Sequence, residues 1–163
     1  MSHIHDHFSC KCSGGPFEHF PKIVNYNEES LSINMSNLGS SLNKPGVREQ
    51  VLAHLQPKDI FMQVQCIVDN LERANVKHLD CPKNGQNICW DGRSLSLIDF
   101  DACLVNNLTF PNRVIRKWNS NYGNWKEYRA SYIFQLMYAI LGPNEASRKV
   151  ILTTLRNSSS VAR

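Results

Sequence analysis

A short segment near the middle of the chain predicts a tight β-hairpin. Asn87-Ile-Cys-Trp90 and Leu95-Ser-Leu-Ile-Asp99-Phe100 are two short runs rich in apolar residues, and Asp91-Gly-Arg-Ser94 stands between them. An Asp-Gly pair between two apolar runs is a strong hairpin signal, because glycine adopts the positive φ that such turns require. The predicted hairpin therefore carries the amide of Asn87 at its start and the carboxylate of Asp99 at its end.

Helices are predicted on both sides of this hairpin. Apolar residues recur at three- and four-residue steps in residues 47–75, where Pro57 suits the first turn of a second helix. Apolar residues show the same spacing in residues 126–141, where a Gly-Pro pair ends the pattern. Residues 144–156 predict a last helix. We interpret the apolar stripe from Ile60 to Leu71 as part of the core.

A second hairpin is predicted in residues 22–36. Lys22-Ile-Val-Asn-Tyr26 and Leu31-Ser-Ile-Asn-Met35 alternate apolar and polar residues, and Asn27-Glu-Glu-Ser30 between them has the composition of a turn. We therefore predict an α+β fold with a mostly helical body, a small β-hairpin near the N-terminus, and the central hairpin that begins at Asn87.

Composition limits the classes of protein that this chain can belong to. It has 163 residues, 42% hydrophobic and 20% charged, which fits one globular domain. No run reaches the roughly 18 apolar residues of a membrane span, so we expect no membrane insertion. The net charge of +4 is spread out, and its densest group, Arg113, Arg116 and Lys117, is too sparse to favour nucleic-acid binding. Without a visible secretory signal or a Cys-x-x-Cys pair, we expect reduced thiols in an intracellular, cytoplasmic setting.

The N-terminal region carries five potential metal ligands, His3, His5, His7, Cys10 and Cys12. Imidazole and thiolate ligands suit zinc or copper. Their alternate spacing is not that of a structural zinc site, so we interpret residues 1–16 as a flexible polar tail and rank metal binding below the functions that follow. The domain is then expected to span residues 17–156, with a frayed end at residues 157–163.

Three polar side chains around the central hairpin suggest phosphoryl transfer. A metal-bound triphosphate needs hard oxygen ligands for Mg²⁺, which Asn87 and Asp99 would supply. The acceptor hydroxyl needs a carboxylate that orients it and takes its proton, and Asp80 stands shortly before the hairpin. A hairpin would hold these groups rigidly, as catalysis by positioning requires.

The same residues resemble a known family. His78-Leu-Asp80, Asn87-Ile-Cys-Trp90 and Leu97-Ile-Asp99-Phe100 look like the H-x-D, N and D-F-G motifs of the protein-kinase-like superfamily. The resemblance covers roughly residues 17–142, and the sequence is also similar to that of short kinase-like proteins of large DNA viruses. It implies a mostly helical kinase-like C-lobe that lacks most of the N-lobe.

The resemblance also implies a role for each matching residue. His78 would be structural, Asp80 would be the catalytic base, and Asn87 and Asp99 would bind the Mg²⁺ that accompanies ATP. The order of the motifs and their placement around a strand, a turn and a strand make the match more specific than any one motif alone.

The resemblance further assigns the N-terminal hairpin and the segment after it. The hairpin at residues 22–36 would be the remnant of the N-lobe. The hinge between lobes would follow it, so that Met35, Asn37 and Gly39 would contact the adenine of ATP through their backbone.

Some positions depart from the family pattern. Asp80 and Asn87 are seven positions apart, where the family has five, so Asn84 is an alternative metal ligand. Leu79 replaces the Arg or Gly of the H-x-D motif, and Asp101 replaces the Gly of D-F-G. The resulting Ile-Asp-Phe-Asp also resembles small-molecule phosphotransferases of the aminoglycoside and choline kinase type.

The largest departure is the lack of phosphate-binding motifs. The pair Gly14-Gly15 is not a G-x-G-x-x-G loop, and the only early lysines, Lys11 and Lys22, are not in a V-A-I-K-type strand. A lysine and the metal do most of the electrostatic work in phosphoryl transfer. We therefore expect either a weak Mg²⁺-ATP-dependent phosphotransferase acting on a protein hydroxyl, or a non-catalytic pseudokinase that serves as an interaction module.

The N-terminal hairpin is also the expected partner-binding surface. A kinase-like fold without most of its N-lobe would leave one flank of this hairpin unpaired, with open N–H and C=O groups. It would also expose Ile23, Ile33 and Met35, and contiguous exposed apolar patches mark interaction surfaces. We expect the hairpin to bind a protein partner or a second copy of the chain.

Overall fold

The computed structural model describes residues 4, 10, 12, 19–80, 84–106, 108, 109 and 124–160. Several predicted features lie outside the described residues, namely most of the N-terminal tail, including His3, His5 and His7, and the basic residues Arg113, Arg116 and Lys117. In the predicted C-terminal tail, the described backbone of residues 157–160 continues the last helix.

The described elements are two groups of short strands, each followed by a pair of helices. The strands are β1 (Ile23–Asn27), β2 (Ser32–Met35), β3 (Ser40–Ser41), β4 (Val76–His78), β5 (Ile88–Trp90), β6 (Leu95–Leu97), β7 (Cys103–Val105) and β8 (Leu108–Thr109). The helices are α1 (Val47–His54), α2 (Pro57–Arg73), α3 (Trp125–Leu141) and α4 (Glu145–Ser160). The predicted α+β class is confirmed. In the described part of the chain, no helix is both long enough and apolar enough to cross a membrane.

Helix α2 is the centre of the core. Pro57 occupies its first turn, and a capping box supports its start, because the Gln56 N–H donates to Asp59 Oδ2 at 3.2 Å. The predicted apolar stripe from Ile60 to Leu71 is buried, and α2 packs against α3, α4, β4 and β6. On its polar flank, Arg129 of α3 forms ion pairs with Asp69 and Glu72 of α2.

The strands form three small antiparallel sheets, ordered β1-β2, β3-β5-β6 and β4-β7-β8. The central hairpin is confirmed, since β5 pairs with β6 and Trp90 lies opposite Leu95. Asp91 shapes its turn by accepting the N–H groups of Arg93 and Ser94 at 2.8 and 2.6 Å. Helix α2 holds the hairpin through Gln63, whose Oε1 accepts the Leu95 N–H at 2.7 Å.

The N-terminal hairpin is also confirmed, but no residue of it is buried. Strands β1 and β2 pair with each other, and every residue of both strands is exposed. Ile23, Ile33 and Met35 have exposed fractions of 50%, 52% and 54%, as expected from the sequence. Burial of an apolar face therefore contributes nothing to this hairpin in the isolated chain.

A buried side chain of α3 holds the sheet that contains β4. The Tyr128 hydroxyl accepts the His78 N–H at 2.8 Å and donates to the His78 carbonyl at 3.0 Å. Tyr128 is 1% exposed and its ring stacks on Tyr132 with centroids 5.1 Å apart. This attachment sets the position of the chain just before Asp80.

Candidate functional site

The site predicted from the sequence lies where two of the sheets meet. Asp80 follows β4 in one sheet, whereas Asn87 precedes β5 and Asp99 follows β6 in another. His78 joins the two sheets, because its Nε2 lies 2.7 Å from the Asp99 carbonyl oxygen and 3.1 Å from that of Ile98. Carbonyl oxygens only accept hydrogen bonds, so Nε2 carries the proton.

His78 acts as a structural residue in this geometry. It is 1% exposed, and burial lowers its pKa below the ordinary range for histidine, which favours the neutral ring. The rings of His78 and Phe100 pack edge to face, with centroids 5.1 Å apart. His78 thereby holds the backbone of Asp99 and the ring of the next residue, Phe100, in place.

Asp80 and Asn87 are in direct contact. Asn87 Nδ2 donates to Asp80 Oδ2 at 2.7 Å, and Asn87 is 3% exposed. Because a carboxylate can only accept, the amide nitrogen faces Asp80 and the amide oxygen is left as an acceptor. The two residues come together although seven positions separate them, so the longer loop does not prevent the predicted pairing.

Asp99 completes a group of carboxylates. Its backbone has φ +63°, a left-handed conformation that Asp and Asn tolerate better than most residues. Although Asp99 is exposed, desolvation by its surroundings, a side-chain hydrogen bond with Asp101, and the negative charges of Asp101 and Asp80 raise its pKa. The mutual repulsion of these acids favours a cation among them.

The alternative ligand Asn84 does not join this group. It is exposed and lines a surface cleft with Lys44 and Arg48. The segment after it is held by Ser41, whose Oγ donates to the Gln86 carbonyl at 2.7 Å. The structure therefore brings Asn87, and not Asn84, to Asp80.

The predicted hinge residues differ in their surroundings. Met35 and Asn37 are exposed, and Asn37 Oδ1 accepts the Gly39 N–H at 2.9 Å. Gly39 has φ +85°, and a Cβ atom there would lie 2.0 Å from the Trp90 carbonyl oxygen. Gly39 therefore lies directly on the end of β5, on the hairpin that carries Asn87, while contact of these three residues with adenine stays a prediction.

The described part of the chain places no lysine among these acids. Lys77, three positions before Asp80, is 5% exposed and its Nζ lies 5.4 Å from the centre of the Trp125 ring. This cation–π contact occupies its ammonium group. Lys22 is exposed beside the N-terminal hairpin.

Comparison with protein-family models, with curated proteins and with solved structures found no match. What these residues can do chemically is therefore inferred from their geometry.

Sequence reasoning named Cys10 and Cys12 as potential metal ligands but did not connect them with His19 and Cys66, which form one group with them. A side-chain contact with Cys66 and burial raise the pKa of the Cys12 thiol far above its ordinary range, and burial raises that of Cys10. The local signal is the pair Cys10-x-Cys12, whereas Cys66 lies within the apolar stripe of α2, which the sequence assigns to the core.

Proposed function

We propose that this chain is a kinase-like protein that binds Mg²⁺-ATP weakly and transfers its γ-phosphoryl group slowly to a hydroxyl acceptor. The observation that carries the proposal is the convergence of Asp80, Asn87 and Asp99. Asp80 contacts Asn87 directly and lies close enough to Asp99 to raise its pKa. Carboxylate and amide oxygens in such a group are the ligands that Mg²⁺ prefers.

Each of these residues would have a distinct task. Asn87 and Asp99 would hold Mg²⁺, which neutralises phosphate charge when it is bound. Asp80 would orient the acceptor hydroxyl and take its proton, as that oxygen bonds to the γ-phosphorus and the bond from phosphorus to the ADP oxygen breaks. His78 would keep the Asp99 backbone in place through the hydrogen bond to its carbonyl oxygen.

The expected affinity and rate are low for a physical reason. Phosphoryl transfer depends on cations placed against the phosphate oxygens. Among the described lysines, Lys77 lies against Trp125 and none is placed at the acids around Asp99. Among the described residues, no lysine would then assist the metal in compensating the charge of the triphosphate.

Asp99→Asn is the direct test of the metal assignment. With Mg²⁺-ATP at one hundred times its Kd, we expect the parent chain to gain about 2.7 kcal/mol, which raises Tm by about 5–10 °C. Asp99→Asn should lose this gain, since an amide is a weaker Mg²⁺ ligand than a carboxylate. Asparagine suits the test because it also tolerates the positive φ at this position. Thermal unfolding with and without Mg²⁺ measures the effect.

The matched control is Asp69→Asn on α2, where Arg129 retains Glu72 as an ion-pair partner. It should keep the Mg²⁺-ATP shift. In the absence of metal, Asp99→Asn should be the more stable protein at neutral pH, because the raised pKa of Asp99 means that its ionised form is disfavoured in the fold. An Asp99→Asn chain that keeps the full Mg²⁺-ATP shift would exclude Asp99 as a metal ligand.

The second candidate function is protein association through the N-terminal hairpin. Ile33 and Met35 share one face of β2, and the register places Tyr26 and Ile23 opposite them on β1. All four side chains are at least half exposed. We define these four residues as the hairpin face. A contiguous apolar face of this kind on an unburied hairpin is typical of an interaction surface.

Self-association through the hairpin face has a simple measurement. Light scattering at micromolar and tenfold higher concentration should show the mass rising from 18.6 kDa toward that of a dimer. Ile33→Lys should restore the monomer, because a charge would have to be buried in the interface. Asn34→Lys, on the other face of the same strand, should still associate. A parent chain that stays monomeric throughout would contradict self-association.

A further inference from the structure

Four metal-binding side chains meet on one side of α2, beside Cys10, Cys12, His19 and Phe20, which we call the N-terminal segment. They are Cys10, Cys12, His19 and Cys66, and their ligand atoms all lie within 4.8 Å of one another. Three of them are buried and Cys10 is half-buried. We call this group the Cys₃His cluster. It joins three parts of the chain, because Cys66 is in the middle of α2 and His19 is bonded to β6.

Three of the six distances between the ligand atoms of the cluster match those of a tetrahedral zinc site. His19 Nε2 lies 3.6 Å from Cys10 Sγ and 3.4 Å from Cys12 Sγ, and the Cys66 and Cys10 sulfurs are 3.6 Å apart. With Zn–S near 2.3 Å and Zn–N near 2.0–2.1 Å, a regular tetrahedron would separate nitrogen from sulfur by about 3.6 Å and sulfur from sulfur by about 3.8 Å. The observed spacings agree to within a few tenths of an ångström.

The ring of His19 is oriented for metal binding. Its Nδ1 lies 2.6 Å from the Leu95 carbonyl oxygen, and since that oxygen can only accept, Nδ1 donates to it. Its Nε2 faces the Cys10 and Cys12 sulfurs and would be the nitrogen that binds the metal. A backbone carbonyl on the second nitrogen is the usual partner that orients a metal-bound histidine.

Hydrogen-bond donors also face the sulfurs. The Cys12 N–H donates to Cys10 Sγ at 3.4 Å. Asn70, which is fully buried, points its Nδ2 at Cys66 Sγ at 3.6 Å while the same group donates to the Cys66 carbonyl at 2.7 Å. Donors aimed at sulfur stabilise the thiolate form that binds metal.

We propose that the Cys₃His cluster binds one structural Zn²⁺. Three thiolates and one imidazole are a soft donor set that selects zinc over Mg²⁺ or Ca²⁺. Four protein ligands close the tetrahedron and leave no position for substrate, which distinguishes a structural site from a catalytic one. A disulfide does not describe the cluster, because Cys10, Cys12 and Cys66 are thiols.

The zinc would fasten the N-terminal segment beside the candidate phosphotransfer site. The His19 carbonyl accepts the Leu97 N–H at 2.8 Å, so the segment continues along β6. The next residue, Phe20, packs against Phe100 with ring centroids 6.0 Å apart. Phe100 directly follows Asp99, so loss of the metal would free the segment that supports this ring.

Metal analysis of the untagged chain tests the proposal without any nucleotide, so its outcome is independent of the phosphotransfer assignment. Protein purified without metal-affinity resin should contain about one equivalent of zinc by mass spectrometry of first-row metals. After zinc is removed, Co²⁺ should bind and give the visible bands of a tetrahedral ion together with an ultraviolet thiolate-to-cobalt band. Adding zinc should abolish both signals.

Variants locate the metal. Cys66→Ser should lose the zinc, whereas Cys89→Ser, which changes a buried cysteine of β5 in the same way, should keep it. A chain with His3, His5 and His7 all replaced by alanine should also keep it, which excludes adventitious binding by those histidines. If Cys66→Ser does not fold, chelation of the parent chain gives the second measurement: zinc should be released with a lowered Tm, and added zinc should restore that Tm.

Three results would overturn the proposal. The first is a parent chain that contains no zinc and binds neither Zn²⁺ nor Co²⁺. The second is a folded Cys66→Ser chain with full zinc content. The third is loss of the metal on replacement of the three N-terminal histidines.

Discussion

Gly39→Ala is expected to lower the free energy of unfolding by about 2–5 kcal/mol. A Cβ atom in the left-handed conformation costs about 1–2 kcal/mol, and Gly39 has φ +85°. That atom would also lie 2.0 Å from the Trp90 carbonyl oxygen, a backbone atom that cannot turn away. Overpacking of this kind adds about 1–3 kcal/mol. Urea unfolding of the two proteins gives the difference.

Gly46→Ala is the matched control for this substitution. Gly46 has nearly the same φ, +80°, but no atom lies within 4 Å of the position that its Cβ would take. It should therefore lose only the conformational part, about 1–2 kcal/mol. Equal losses at the two glycines would mean that Gly39 does not pack closely on β5, and the link between the predicted hinge and the central hairpin would be wrong.

Tyr128→Phe should cost about 2–4 kcal/mol. The hydroxyl is bonded to both the N–H and the carbonyl of His78, and its removal leaves two buried backbone groups without that partner. Each such group costs about 1–3 kcal/mol. Because His78 positions Asp99, the same variant should also weaken the Mg²⁺-ATP shift.

Tyr138→Phe provides the comparison for Tyr128. Tyr138 is half-buried on the same helix and its ring stacks on Phe134. Removing its hydroxyl should change stability by less than about 0.5 kcal/mol, as at most partly exposed positions. If chemical denaturation gives both variants the stability of the parent, the attachment of α3 to β4 does not depend on the Tyr128 hydroxyl.

The elements that the sequence predicted well are those whose signals are local. Asp91 and its following glycine specify the central turn, and alternation specifies β1 and β2. The stripe of α2 spans several turns of one helix, so its period is clear. Each of these signals can be read within about ten neighbouring residues, and none needs a distant partner.

The strands that the sequence did not predict depend on distant partners. Ser40 and Ser41 carry no strand signal of their own, and they form β3 because Trp90 and Cys89 lie opposite them. Strand β7 exists because β4 pairs with it, with Cys103 opposite His78. Strands of two or three residues have too few positions to show a period, so only the tertiary fold reveals them.

The two candidate sites differ in the same way. Asp80, Asn87 and Asp99 could be grouped from sequence because a short hairpin brings its ends together. The Cys₃His cluster could not, because Cys66 is 56 positions from Cys10 and has the spacing of a core residue. Only the packing of the N-terminal segment on α2 shows that this thiol faces other ligands.

The attachment of His19 to β6 also determines the order in which the chain can assemble during synthesis. His19 bonds to Leu95, which is 76 positions later in the chain. At about 5–20 residues per second, a ribosome needs about 4–15 s to make that distance. Cys10 and Cys12 are therefore made first, but the strand that anchors their neighbour arrives much later. The N-terminal segment can take its final place only after the central hairpin has emerged from the ribosome.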